Sequence, residues 1–147
     1  PDDYFQALAW HPYTTLFSVE AFVRDNTALY EKAYQYEGKH KTVYFTELGG
    51  WDMKLNQEQA AQYVTTLYTE VAQQLPFVES MHYFRAFNNI VDKNNQWGMF
   101  TDPNPNRMDM TNGVRLDPGA PKLSAYAYQQ AAGGSGSLEL VRTKLEE

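Results

Sequence analysis

One acidic residue of this 147-residue chain stands near the end of a strand-like stretch, where a carboxylate can do chemistry. Residues 42–51 read TVYFTELGGW, so an apolar, β-branched and aromatic run carries Glu47 toward its end and then breaks on two glycines. Most carboxylates lie on solvated faces, and a strand that delivers one to its end displays it there. Such a group can act as a nucleophile or as a proton-abstracting base. The alternative interpretation is a strand that simply ends on a charged residue.

Two more polar side chains end the preceding strand candidate. His11 and Tyr13 lie two residues apart, which places them on the same side of a strand. Glu47 has the same spacing from Phe45, and Phe45 from Val43, so the pattern predicts that the carboxylate continues an inward-facing row. If the two strands are neighbours, an imidazole and a phenol share a pocket with this carboxylate. The competing interpretation is a hydrogen-bonded histidine and a core tyrosine.

The spacing of apolar residues predicts three strand-then-helix units. The predicted strands span residues 4–13, 42–47 and 77–87, and the predicted helices span 19–38, 56–75 and 123–132. Asn56 and Gln59 form a capping-box pair at the start of the second helix, and Pro76 ends it. The third strand ends in an aromatic cluster, in which Tyr83 or Phe84 can stack on a ring.

The alternation of strands and helices sets the predicted fold class. Strand ends recur at intervals of about 35 residues, which predicts an α/β fold with parallel strands and right-handed crossovers. An open doubly wound sheet and a closed eight-stranded barrel both have this periodicity. No Gly-rich phosphate loop follows a predicted strand, which removes the main support for a dinucleotide-binding fold. The pattern therefore favours a (β/α)8 barrel, in which functional side chains lie at the carboxyl ends of the strands.

The remaining segments are a long loop and a terminal tail. Residues 88–120 form a polar loop that is long enough to build part of a cleft wall, and a solvated excursion is the equal alternative. Residues 133–137 read GGSGS, which is the composition of a flexible linker, and a short helix-like segment follows. We interpret residues 1–132 as the folded region and residues 133–147 as an artificial linker with an added tail.

The composition argues against several classes of partner. With a net charge of −6 and no basic stripe, the chain is not expected to bind nucleic acid or an anionic membrane, and neutral polymers fit better. The chain has no cysteine, and His40 and His82 have no companions at ligand spacing, so no metal site and no cofactor are predicted. No apolar run approaches about 18 residues, so none is expected to span a bilayer.

The order of these motifs resembles the C-terminal part of the clan of retaining (β/α)8-barrel glycoside hydrolases, which includes cellulases, mannanases and β-xylosidases. The resemblance covers residues 4–132 and rests on HPY at 11–13, TELGGW at 46–51, YFR at 83–85, WGMF at 97–100 and PKLSAY at 121–126. Each motif is short, and the order and spacing carry the likeness. It implies that the three units are strands six, seven and eight of a partial TIM barrel.

The resemblance implies a role for each candidate residue. Glu47 would be the nucleophile that forms a covalent glycosyl-enzyme intermediate. Tyr13 would orient that carboxylate through a hydrogen bond, and His11 would hydrogen-bond the sugar or neighbouring acids. Tyr83 stands where the family often has tryptophan, which leaves the aromatic floor of the sugar site open between Tyr83 and Phe84.

Two tryptophans in predicted loops, Trp51 and Trp97, offer further faces on which a sugar ring can stack. Packing of these side chains beneath their loops is an equal alternative.

The implied enzyme is incomplete within this chain. Retaining hydrolysis needs a second carboxyl group about 5–5.5 Å from the nucleophile, and in this clan it follows strand four. The resemblance therefore implies a carbohydrate substrate, an inactive isolated chain, a secreted or periplasmic location, and a complementary N-terminal barrel segment in the same protein or a separate chain. A noncatalytic half-barrel that binds or assembles, and an unrelated barrel enzyme that uses Glu47 as a general base, remain open.

Overall fold

The computed structural model of the chain describes residues 5–14, 17–49, 55–86, 98–100, 108–109, 114–115 and 120–134. The chain divides into two compact units, the first made of Pro1–Met53 and Thr66–Phe84 and the second of Lys54–Thr65 and Arg85–Glu147. The strands are β1 (Ala7–Trp10), β2 (Thr42–Leu48), β3 (Val78–Tyr83), β4 (Met108–Asp109) and β5 (Val114–Arg115). The helices are α1 (Val19–Glu37), α2 (Gln57–Thr66), a π-helical turn (Leu67–Val71), α3 (Ala72–Gln74) and α4 (Leu123–Ala131).

The first unit is built on a three-stranded parallel sheet in the order β1-β2-β3. Trp10 pairs with Phe45 and Phe45 with Met81, so one residue of each strand stands in the same cross-strand row. The predicted α/β fold with parallel strands joined by helices is confirmed. Because all three strands run the same way, their carboxyl ends lie together at one end of the sheet.

One face of this sheet packs against α1. The ring of Phe45, which is fully buried, lies 5.6 Å from that of Trp10 and 6.2 Å from that of Phe22 in α1. The indole nitrogen of Trp10 donates a 2.9 Å hydrogen bond to the side-chain oxygen of Asn26, whose amide nitrogen donates to the carbonyl oxygen of Phe22 at 2.8 Å. A polar side chain is thus buried with both ends of its amide hydrogen-bonded.

The other face of the sheet carries small and polar side chains, and we call it the open face. Ala9 pairs with Tyr44, and Tyr44 with Ser80, in a row next to the buried one. Ala9, Thr46 and His82 are exposed on this face. Parallel sheets usually have both faces covered, so a face of this kind is suited to contact with further protein or a ligand.

The regular alternation of β2 breaks near its carboxyl end, at Thr46 and Glu47. Phe45 pairs with Met81 and Leu48 with Tyr83, so three steps along β2 correspond to two along β3. This is a β-bulge, in which two residues of one strand lie opposite one of its partner. The predicted row of Val43, Phe45 and Glu47 is therefore wrong, because the first two are fully buried while the side chain of Glu47 is 36% exposed.

The helix ends agree with the sequence signals. Gly38 follows α1 with φ of 69° and donates its N–H to the carbonyl oxygen of Tyr34, as the predicted stop requires. Asn56 and Gln59 exchange side-chain-to-backbone hydrogen bonds of 3.0 and 2.8 Å, which confirms the capping box before α2. The predicted continuous second helix is interrupted by the π-helical turn, in which Tyr68 donates its hydroxyl to the carbonyl oxygen of Met81 at 3.0 Å.

The second unit contains most of α2, together with α4 and parts of the predicted long loop. The side chain of Gln57 accepts the backbone N–H of Leu123 at 3.3 Å, which serves the first turn of α4. Lys122 donates its N–H to the carbonyl oxygen of Met99, a buried residue, and Phe100 bridges to Pro121. Within the segment predicted as irregular loop, β4 and β5 form a short antiparallel pair.

The buried amide of Asn26 generates a prediction about stability. The Asn26→Ala change removes the partner of the Trp10 indole N–H, and we expect it to lower the free energy of unfolding by about 1–2 kcal/mol despite the better helix propensity of alanine. Gln35→Ala, a truncation on an exposed position of the same helix, is the matched control and should change it by less than about 0.5 kcal/mol. Urea unfolding measures both, and equal losses would contradict the assigned role of Asn26.

Candidate functional site

The carboxylate of Glu47 and the phenol of Tyr13 meet at the carboxyl ends of β2 and β1. The Tyr13 hydroxyl donates a 2.6 Å hydrogen bond to Oε2 of Glu47. Bonds of this length between a hydroxyl and an ionised carboxylate are charge-assisted and among the stronger ones in proteins. The bond joins residues 34 apart in the sequence, so it depends on the parallel pairing of the two strands.

His11 lies beside the same carboxylate oxygen. Its Nδ1 atom is 3.6 Å from Oε2 of Glu47, beyond a direct hydrogen bond but close enough for an ion pair when the imidazole is protonated. The predicted strand end is wrong here, because β1 stops at Trp10 and the N–H of Tyr13 donates to the carbonyl oxygen of His11 at 2.9 Å. This hydrogen bond closes a three-residue turn, and the two rings lie edge to face at 6.2 Å.

The bulge in β2 explains why the carboxylate reaches this site. Thr46 and Glu47 lie between two fully buried residues, Phe45 and Leu48, and both are less buried than these. Strict alternation cannot place residues three apart on the same buried side, so the two intervening residues together take the place of one. Both therefore point away from the buried face. Bulges often re-aim a side chain in this way next to functional sites.

Of the two aromatic candidates at the end of β3, the structure brings Phe84 next to Tyr13, the hydrogen-bond partner of Glu47. The ring of Phe84 meets that of Tyr13 edge to face, with centroids 6.4 Å apart. Its backbone N–H donates to the carbonyl oxygen of Leu48 at 2.7 Å, which continues the β2–β3 pairing beyond the last paired residues. Tyr83 is paired with Leu48 and half-buried, and alternation directs it to the same side of β3 as Met81.

The two tryptophan candidates, Trp51 and Trp97, lie outside the described residues.

Among the described residues, no group of three or more His, Asp or Glu side chains is placed to hold a metal ion. In the same part of the chain, no helix has the length and apolar character needed to cross a membrane.

The arrangement is suited to reactions at a carboxylate oxygen. Tyr13 and His11 both approach the same oxygen, Oε2. The hydrogen bond from the phenol restrains the rotation of the carboxylate. With more than a third of the side chain accessible, a ligand can reach the carboxylate from the open side.

His82 is a residue of this region that the sequence reasoning set aside. It is the one β3 residue between the pairs Phe45–Met81 and Leu48–Tyr83, so it lies opposite the two bulged residues of β2. Its imidazole nitrogen Nε2 is 3.0 Å from the hydroxyl oxygen of Ser80. Ser80 and His82 lie two residues apart in the predicted third strand, and this spacing indicates that they share one face of the strand.

Comparison with known proteins gave no match to a protein-family model, to a curated protein or to a solved structure. The chemistry of the residues around Glu47 therefore carries the functional argument.

Burial of Tyr83 generates a prediction about pH. Burial raises the pKa of Tyr83 to about 12 from the ordinary value of 10.0. Between these values the folded chain keeps a proton that the unfolded chain has lost, so stability is complete below pH 10 and declines as the pH rises toward 12. Between pH 9 and 11 this group should lower the free energy of unfolding by roughly 1 kcal/mol.

The Tyr83→Phe variant is the control for this effect. It lacks the ionisable hydroxyl, so its free energy of unfolding should fall by roughly 1 kcal/mol less over the same pH interval. Urea unfolding of both proteins at pH 9 and pH 11 gives the difference. Identical pH dependence in the two would show that Tyr83 ionises alike in the folded and unfolded chains.

Proposed function

We propose that this chain is the nucleophile-bearing part of a retaining glycoside hydrolase that cleaves O-glycosidic bonds in an oligo- or polysaccharide. The observation that carries the proposal is the 2.6 Å hydrogen bond from Tyr13 to Glu47 at the carboxyl ends of parallel strands. In α/β barrels, functional side chains lie at the carboxyl ends of the strands. The motif order of the sequence, which resembles this class of enzyme, supports the same assignment, as do the hydroxyl groups of Tyr44, Thr46 and Ser80 on the open face.

In the first chemical step, Oε1 of Glu47 attacks the anomeric carbon of the sugar. The carbon–oxygen bond to the leaving group breaks, and the leaving oxygen takes a proton from a second carboxyl group, which acts as the general acid. Tyr13 holds Oε2 during the attack, so the orientation of the carboxylate is fixed. The product is a glycosyl ester of Glu47.

In the second step, water attacks the same carbon from the face that the leaving group vacated. The second carboxylate removes a proton from this water, and the bond to Glu47 breaks, so the sugar keeps its anomeric configuration. In this proposal the second carboxyl group comes from a complementary segment that is separate from these 147 residues, in the same protein or in a separate chain.

The exposed surfaces of the sheet support a larger barrel around this unit. In the described part of the chain, β1 and β3 are the two edges of the sheet, and the open face remains accessible. Unpaired strand edges favour pairing with further strands, and parallel sheets favour cover on both faces. We propose that the three strands are strands six, seven and eight of a (β/α)8 barrel whose other strands belong to the complementary segment.

The Glu47→Ala variant tests the nucleophile directly, because it leaves space for a small anion. In the complete protein, hydrolysis of 2,4-dinitrophenyl β-glycosides of glucose, mannose and xylose should fall at least about a thousandfold. Azide should restore turnover by attacking the anomeric carbon as dinitrophenolate leaves. The product is then a glycosyl azide of inverted configuration, which proton NMR identifies.

Two further variants give the controls. Glu79→Ala removes an exposed glutamate near the start of β3 and should retain full activity. Tyr13→Phe keeps the nucleophile but loses its hydrogen bond, so turnover should fall about 10–100-fold and azide should not restore it. A glycosyl azide of retained configuration from Glu47→Ala would make Glu47 the acid and base instead, and a wild-type protein that binds but never hydrolyses these sugars would be a noncatalytic binding unit.

A further inference from the structure

A pair of polar residues on β3 occupies the open face next to the bulge that carries Glu47. His82 lies opposite Thr46 and Glu47, and its imidazole is hydrogen-bonded to the hydroxyl of Ser80 at 3.0 Å. Since the two residues are hydrogen-bonded to each other and two apart, their side chains share one face of β3. Ser80 pairs with Tyr44, a neighbour of the buried Phe45, so this is the face directed away from α1.

Uncharged groups and one carboxylate surround the pair. The side chains that the strand register places nearest on β2 are those of Tyr44, Thr46 and Glu47, and Ala9 of β1 lies beyond Tyr44. Together with the imidazole and the serine hydroxyl, they offer hydrogen-bond donors and acceptors and, at neutral His82, no cation. Such a surface suits the hydroxyl groups of a neutral sugar better than a phosphate or a carboxylate, which favour cationic partners.

The exposure of His82 separates it from a purely structural histidine. Its side chain is exposed while it holds its hydrogen bond to Ser80. A bond of this kind fixes the orientation of an imidazole at little cost, so a ligand meets a side chain that is already ordered. The position opposite the bulge places that side chain within one strand spacing, about 4.8 Å between backbones, of the strand that carries Glu47.

From these observations we propose that Ser80 and His82 form a sugar-hydroxyl binding subsite beside Glu47, with His82 as the residue that contacts the ligand and Ser80 as the residue that orients it. This inference rests on the proposed function, because it takes the sugar at Glu47 as the ligand. The subsite would hold a hydroxyl group at the carboxyl end of the open face, beside His82, while the anomeric carbon stands at the carboxylate.

The test separates binding from chemistry by steady-state kinetics of the complete protein with cellotetraose, mannotetraose and xylotetraose. His82→Ala should raise KM about tenfold with kcat changed less than about twofold, the effect of one lost neutral hydrogen bond. Ser80→Ala should raise KM about two- to threefold. Thr42→Ala, an exposed change at the amino end of the open face, is the matched control and should leave both constants unchanged.

A second measurement does not depend on turnover. Titration of the wild-type protein with the same tetrasaccharides, followed by NMR of the histidine rings, should shift the signals of His82 and leave those of His40 in place. His40 is a suitable internal reference because it stacks on Tyr34 with ring centroids 4.0 Å apart, before the start of β2.

The outcomes distinguish this subsite from the proposed function. Hydrolysis that depends on Glu47 but shows the same KM in His82→Ala, with unmoved His82 signals, would overturn the subsite and leave the function standing. Shifted His82 signals without any hydrolysis would support the subsite for a binding protein and overturn the enzyme. Neither hydrolysis nor shifts would overturn both.

Discussion

The parallel pairing of β1, β2 and β3 is the constraint on which the rest of this structure depends. It brings the carboxyl ends of three strands to one end of the sheet, although more than 30 residues of sequence separate each from the next. The hydrogen bond between Tyr13 and Glu47 joins the carboxyl ends of β1 and β2, and it exists only while these two strands keep their register. The packing of Phe45 against Phe22 beneath the sheet maintains that register, so the apolar core and the candidate site are coupled.

Most of the secondary structure was predictable because local signals determine it. The α1 stop at Gly38 and the capping box at Asn56 and Gln59 depend on residues within one helical turn, and both appear as predicted. The meeting of Tyr13 and Glu47 was also predictable, since strand ends of a parallel sheet converge. The irregularities were not, because bulges, the π-helical turn and the short turn after Trp10 arise from tertiary packing rather than from a local residue pattern.

The bulge in β2 shows how the contact between Tyr13 and Glu47 can be expected correctly from an incorrect local argument. Alternation put Glu47 in one row with Val43 and Phe45, but that row is the buried one, packed toward α1. A carboxylate there would be desolvated without compensation. The additional residue at Thr46–Glu47 turns the carboxylate toward the open face, where it meets Tyr13 and remains accessible. The position of His82 opposite Thr46 and Glu47 was not predictable for the same reason, because it depends on the bulge.

The central claim is that Glu47 is a nucleophile, and trapping the covalent intermediate tests it most directly. A 2,4-dinitrophenyl 2-deoxy-2-fluoro-β-glycoside carries a leaving group that departs without protonation, and its fluorine slows the hydrolysis of the glycosyl ester. After incubation with the complete protein and digestion with trypsin, the peptide of residues 42–54 should gain the mass of one fluoro-sugar, and fragmentation should place it on Glu47 rather than on Asp52. A label on any other residue, or reproducible turnover without a label on this peptide, would contradict the account.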